Sequence, residues 1–241
     1  MKKLSPGSET LYRYWQNRFQ DWLNGRPTTA ETGEAFLTAL EGAGLKHNTL
    51  GCAARALRRL GLDVPAPSVE MGEPKYLELE EIKQLIQNAP SLLESTILIV
   101  TFGSACRISE VLNLELPDLE LEAGVATVTR KGGRRERVAL GKQGTEALRE
   151  WLAKRRSKTK RVFMDYNYQY IYRRLKKLAK EVGIPEFWPH LLRHSRCRHL
   201  MDEGIPLERV SEIAGHSRLD TTVKLYGRLK AEKRAKLLVD F

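Results

Sequence analysis

The sequence predicts a mainly α-helical chain with one small antiparallel β-sheet, laid out as two domains. Apolar residues recur at helical intervals through most of its length. One short β-branched run, Val125-Ala-Thr-Val-Thr129, leads into a glycine turn and a returning segment. Between residues 62 and 74 the stretch LDVPAPSVEMGEP holds three prolines and no helical period, the composition of an extended linker. The expected layout is a helical domain over residues 1–62, a linker over 63–74 and a second domain over 75–241.

In the first domain, Leu11, Trp15, Phe19 and Trp22 are spaced as the core stripe of a helix over 9–23. Pro27 precedes a second helix over 28–42, with Phe36, Leu37 and Leu40 inside and Gly42 and Gly44 ending it. A third, over 47–60, gathers Leu50, Ala53, Ala54, Leu57 and Leu60 on one face. Asn48, Arg55 and Arg59 fall opposite, with Arg58 at the edge. That outer face suits either phosphates or plain solvation.

The second domain opens with helices over 79–89 and 91–105, the latter apolar almost all round and so the expected central helix. A short helix over 107–114 follows, ended by Pro117 and a turn at 120–124. Strands over 125–129 and 135–140 flank the turn Lys131-Gly-Gly-Arg134. Helices are then expected over 143–156, 167–182, 190–203, 207–214, 220–229 and 232–238. In the second of these, Tyr168, Ile171, Leu175, Leu178 and Val182 read as core. Arg173, Arg174 and Lys177 lie elsewhere on it, as candidate contacts to a polyanion.

Charge is unevenly spread. The chain carries +11 overall, but residues 130–180 hold 18 lysines and arginines against 4 acidic residues, net +14, while residues 73–129 are net −7. So dense a basic block points to a polyanion, with a solvated lysine-rich surface as the alternative. No run of about 18 apolar residues suggests a membrane span, and the start MKKLSPGSET argues against a secretory signal. Cys52, Cys106 and Cys197 lie far apart without zinc spacing and read as three free thiols in a reducing cytoplasm, two of them buried.

The candidate chemistry lies in several short stretches. Arg107 directly follows the apolar helix, and Glu110, three residues on, can hold its guanidinium. The pair is either purely structural or aims the guanidinium fork at a phosphate. Lys131 heads a glycine turn that can reach into a groove or serve only as a solubilising turn lysine, with Arg130, Arg134 and Arg135 as alternatives for contact with DNA. His190 and Arg193 share one face at a helix start behind Pro189, where anions are favoured, and His194 can join them. Gly215 reads as a helix C-cap that sets His216 on a rigid turn, and Tyr226 lies in a helix capped by Asp220.

The order Arg107, Lys131, His190-x-x-Arg193, His216, Tyr226 resembles the tyrosine recombinases, also called phage-type integrases or Xer-type site-specific recombinases. The resembling blocks are CRISEVLNLELPDLE, TRKGGRRERVAL, PHLLRHSRCRHLMDEGIPLERVSEIAGHS and the Tyr226 helix, which cover most of residues 75–229. The resemblance implies a clamp around double-stranded DNA, made by an N-terminal core-binding domain and a catalytic domain. It implies Tyr226 as nucleophile, His190 as its base, Arg107, Arg193 and His216 on the phosphate, and Lys131 as proton donor to the leaving 5′-oxygen. It further implies a 3′-phosphotyrosine intermediate with no metal, ATP or other cofactor. The protein would be cytoplasmic and nucleoid-associated, and would assemble from a free monomer into a tetramer on synapsed DNA. The tail LKAEKRAKLLVDF would dock on the next subunit.

Two departures stand out. Ten positions separate His216 from Tyr226 where nine are usual, and AGH replaces LGH. One added residue turns a helix by about 100°, so either the 217–220 loop absorbs it or Tyr226 is aimed elsewhere, for example at a neighbouring subunit's site. A type IB topoisomerase and a non-catalytic DNA-binding protein of the same fold are the rival readings. The short first domain and the candidate exchange tail favour a recombinase.

Overall fold

The computed structural model describes residues 6–65, 75–130, 132–164 and 166–215. The chain divides into two compact units, Met1–Gly72 and Glu73–Phe241.

The first unit holds three helices, α1 (Pro6–Leu23), α2 (Ala30–Gly42) and α3 (His47–Arg58). Trp15, Phe19 and Leu23 of α1 are buried against Phe36 and Leu40 of α2 and Leu50 and Leu57 of α3. Small residues at Ala53, Ala54 and Ala56 let α3 pack on both other helices. Thr29 caps α2: its hydroxyl accepts the Thr32 N–H at 3.3 Å, and its own N–H donates to the Thr32 hydroxyl at 3.0 Å. Two expected core positions fall outside. Leu11 is exposed because the buried stripe of α1 runs through Trp15, Phe19 and Leu23, and Leu60 is exposed because α3 ends at Arg58, two residues before it.

The second unit is built around α5 (Leu92–Gly103), which packs on α4 (Leu79–Gln87), α6 (Ile108–Leu112), α7 (Gly141–Lys154) and α9 (Pro189–Asp202). Its all-round apolar sequence gives it buried side chains on several faces. α8 (Tyr168–Glu181) and α10 (Leu207–Ala214) complete the described helices. On α8 the buried face is Ile171, Leu175, Leu178 and Ala179. Tyr168, expected inside, is exposed and stacks on Tyr172 at 6.1 Å between centroids.

The sheet has three antiparallel strands in the order β1 (Leu119–Glu120), β2 (Val125–Thr129) and β3 (Arg135–Ala139). β2 pairs with β3 from Val125↔Ala139 to Thr129↔Arg135. β1 is an addition to the expected hairpin: two residues are too short to show a period, and the pairing Glu120↔Val125 across a tight turn is what makes them a strand. Along β2, Ala126 and Val128 point into the core, so the next inward position by alternation is residue 130.

Helix α9 is buried on most sides, polar residues included. Ser195 Oγ accepts the Leu77 N–H at 2.8 Å and donates to the Leu191 carbonyl at 2.7 Å. A ring nitrogen of His199 lies 2.8 Å from the Leu77 carbonyl oxygen. The first segment of this unit is thereby hydrogen-bonded to the helix that carries His190 and Arg193. The helices expected over 220–229 and 232–238 lie outside the described residues. Among the described residues no helix is long and apolar enough to cross a membrane.

Candidate active site

Arg107 stands at the N-cap of α6. Its backbone N–H donates to Glu110 Oε2 at 2.9 Å, and its Nη1 donates to Glu110 Oε1 at 2.6 Å. The carboxylate is buried while the Arg107 side chain keeps about a third of its surface open (31%), so one edge of the fork is held and the rest remains accessible. Burial works to raise the Glu110 pKa, but the Arg107 N–H and guanidinium and the charge of Arg130 outweigh it and hold the group below the ordinary carboxylate value.

Arg193 is 2% exposed. Its Nη1 donates to the Ala105 carbonyl at 3.1 Å, whereas its buried Nη2 has no hydrogen-bond partner among the described residues. Buried donors are almost always satisfied, yet Arg155 Nε, Arg196 Nε and Arg198 Nη2 share this condition among the described residues. Ala105 carries its carbonyl on a left-handed backbone, φ 53°. The long helix expected over 91–105 thus stops at Gly103, and the chain reverses at Ala105 into α6. Burial, then the Arg107 charge, lowers the Arg193 pKa from the usual guanidinium value.

His190, the second residue of α9, keeps part of its surface in solvent. Partial burial of its ring, followed by the charges of Arg193 and Arg107, lowers its pKa below the ordinary histidine value. The lowered pKa favours the uncharged imidazole, the form that can take a proton. His194 stands edge-on to it at 5.8 Å between centroids. Burial, His190 and Arg193 push His194 down to about 4. The charges of Arg107 and Arg193 both act on His190, and that of Arg107 on Arg193, so the three lie near one another, with Glu110 bonded to Arg107.

Lys131, His216 and Tyr226 lie outside the described residues, as does the tail after residue 229. Their flanks are described. The hairpin closes with Arg130 N–H donating to the Arg134 carbonyl at 2.7 Å, followed by Gly132 and Gly133 at φ 89° and 81°. Gly215 caps α10 in the left-handed region, φ 64°, as a C-cap glycine should.

The candidate DNA contacts divide. Asn48 and Arg55 are exposed on α3, and Arg59 is half-buried just beyond it. Arg134 and Arg135 are exposed and paired with Glu136 and Asp118. Arg173 is exposed, and the Lys177 side chain is 79% open, 3.8 Å from Glu181. Arg174 instead spends its Nε on the fully buried Glu94 of α5, and so fastens α8 to α5. Arg130 is a correction. Expected as a surface contact, it is 5% exposed, because strand alternation carries it inward beside Ala126 and Val128. Its Nη1 donates to Glu110 Oε2 at 2.7 Å and its Nη2 to Glu136 Oε1 at 3.0 Å. Burial opposes its charge, but Cys106, Glu110 and Glu136 more than offset that and raise its pKa. The alternation of β2 was the signal for this placement.

Cys106 and Cys197 are buried and Cys52 is half-buried, and none of the three is in a disulfide. Among the described residues no cluster of three or more His, Cys, Asp or Glu could hold a metal ion.

Residues 75–233 match the phage integrase family, and the chain belongs to that family. It is a tyrosine recombinase, an enzyme of site-specific DNA recombination. It is similar to tyrosine recombinase XerA of Thermococcus kodakarensis, 30% identical over 260 residues that cover 97% of this chain and 91% of the relative. XerA of Pyrococcus horikoshii is 27% identical, over 95% of this chain and 87% of its own. The same fold is seen in a XerA crystal structure, with 22% identity, a TM-score of 0.61, and 98% and 92% of the two chains covered. It recurs in XerH bound to a palindromic difH substrate, with 18% identity, a TM-score of 0.80, and 95% and 78% covered.

Proposed function

We propose that this recombinase cuts and rejoins duplex DNA through a 3′-phosphotyrosine on Tyr226, using Arg107, Lys131, His190, Arg193 and His216, with Glu110 in support. The observation that carries this is Arg193, a buried guanidinium whose Nη2 has no partner, set with Arg107 and the lowered-pKa His190. In this reading the Tyr226 oxygen attacks phosphorus, the phenol proton passes to His190, and the bond to the 5′-oxygen breaks. Lys131 supplies the proton that makes a 5′-hydroxyl. The tyrosyl ester keeps the phosphoester bond for a second 5′-hydroxyl, which attacks and releases Tyr226. Arg107, Arg193 and His216 stabilise the charge on the non-bridging oxygens, with the chain's own residues preorganised for it.

The same reading assigns residues 1–62 as a core-binding domain and 75–241 as the catalytic domain, joined by 63–74. Exposed Asn48, Arg55, Arg134, Arg135, Arg173 and Lys177 contact the DNA backbone. Four copies act together on two synapsed sites in the cytoplasm. Support comes from relatives held on DNA, XerH on difH and a lambda integrase dimer on a core site. The test is incubation with a nicked suicide duplex carrying the target site. The wild-type protein should trap a covalent adduct and Tyr226→Phe should not. An equal adduct from the phenylalanine variant would assign the nucleophile elsewhere.

A further inference from the structure

Arg130 is a buried cation that has, besides a 3.9 Å contact to Cys106 Sγ, three attachments on three segments of the chain. It donates to Glu110, the carboxylate that holds Arg107, and to Glu136 on β3. Its third attachment is steric. A Cβ built on Gly215 would lie 2.6 Å from Arg130 Cζ and from Nη2, and 2.7 Å from Nε, so the flat guanidinium lies directly against the bare Gly215 Cα. Two of these segments lead to a proposed catalytic group, and Arg130 is itself next to a third. Glu110 leads to Arg107, Arg130 itself precedes Lys131, and Gly215 precedes His216.

We propose that Arg130 is a positioning residue for strand cleavage, a single guanidinium that fixes the start of α6, the base of the hairpin and the cap of α10 relative to one another. The inference rests on the assignment of Arg107, Lys131, His216 and Tyr226 made above. Its chemistry follows from arginine alone: a planar fork presents donors along its edge to two carboxylates while its face stays free to pack. Lysine, a point donor on a flexible stem, cannot serve both carboxylates and also present a flat face. The glycine at 215 is required twice, for its left-handed backbone and for the absence of a side chain under the guanidinium.

The test measures single-turnover cleavage of the suicide duplex, DNA affinity and thermal unfolding together. Arg130→Met should bind DNA within about twofold of wild type, since the buried guanidinium is committed to Glu110 and Glu136, yet cleave about 10- to 100-fold more slowly. Gly215→Ala probes the same contact from the opposite side. Gly204→Ala is its control, for Gly204 has φ 89° but nothing within 4 Å of a built Cβ. Both alanine variants bear left-handed strain, and only Gly215→Ala should lose cleavage. Arg130→Met that is folded and cleaves within twofold of wild type would overturn the proposal. If that variant does not fold, the glycine pair decides: equal cleavage by Gly215→Ala and Gly204→Ala overturns it. Tyr226→Phe run alongside separates the two readings, since an adduct from that variant refutes the site assignment rather than the role of Arg130.

Discussion

At the scale of single residues, the groups proposed to face the phosphate are arranged by what holds their far sides. Arg193 gives one nitrogen to the Ala105 carbonyl and keeps another unspent. Arg193→Lys should therefore cut cleavage about 100-fold or more, the usual loss for one preorganised donor to a developing oxyanion, measured as adduct formation in a single turnover. Ala105 itself carries left-handed strain. Ala105→Gly relieves it but removes a buried methyl, so stability should change by less than about 1 kcal/mol. Ala105→Val should cost about 2 kcal/mol or more, because a β-branched residue at positive φ is a severe outlier; urea unfolding of both reads this. His194 sets an acid limit. Its folded pKa of about 4 lies below the ordinary 6.5, so the unfolded chain takes the proton first as pH falls. Its contribution is complete above pH 6.5 and is lost on the way down to about 4. The loss is at most about 3 kcal/mol, discounted because the ring is only half-buried. His194→Gln should flatten that limb of the stability curve, and an unchanged limb would assign it to other groups.

At the scale of elements, periodicity made most of the helices legible, because each buries one stripe and the stripe is written in the sequence. Helices α5 and α9 are the exceptions, since each buries residues on several sides; α5 was recognisable through its apolar run, and α9 through Pro189, His190 and Arg193 rather than through a stripe. The strand β1 was hidden because two residues have no period. Arg130 was misplaced for a different reason: a cation among cations beside a glycine turn reads as surface, although the inward alternation of Ala126 and Val128 pointed to its burial. Tyr168 went the other way, apolar enough for the core of α8 but one step beyond its buried face. The join between Leu77 and α9 has no sequence signal at all, for it pairs residues 118 positions apart. It has a measurable weight. Ser195→Ala would leave the buried Leu77 N–H without its acceptor and should destabilise the protein by about 1–3 kcal/mol, seen as a lower urea midpoint with an unchanged slope.

At the scale of the whole molecule, charge is divided between a basic block, net +14 over residues 130–180, and an acidic stretch, net −7 over 73–129. Part of that division closes internally, as Arg135 pairs with Asp118 and Arg137 with Glu120 across the sheet. The remaining exposed cations should make DNA affinity steeply salt-dependent. With about 6–10 phosphate contacts it would fall roughly 10³- to 10⁵-fold between 50 and 200 mM salt. Arg173→Ala should reduce the logarithmic slope by about one, measured by fluorescence anisotropy over a salt series, while Arg174→Ala, whose guanidinium is committed to Glu94, should lower stability more than the slope. The Leu77 join has one further consequence, a mechanical one. A pull on the backbone at residue 75 is borne two residues later by bonds to Ser195 and His199, on the helix whose first turns hold His190 and Arg193.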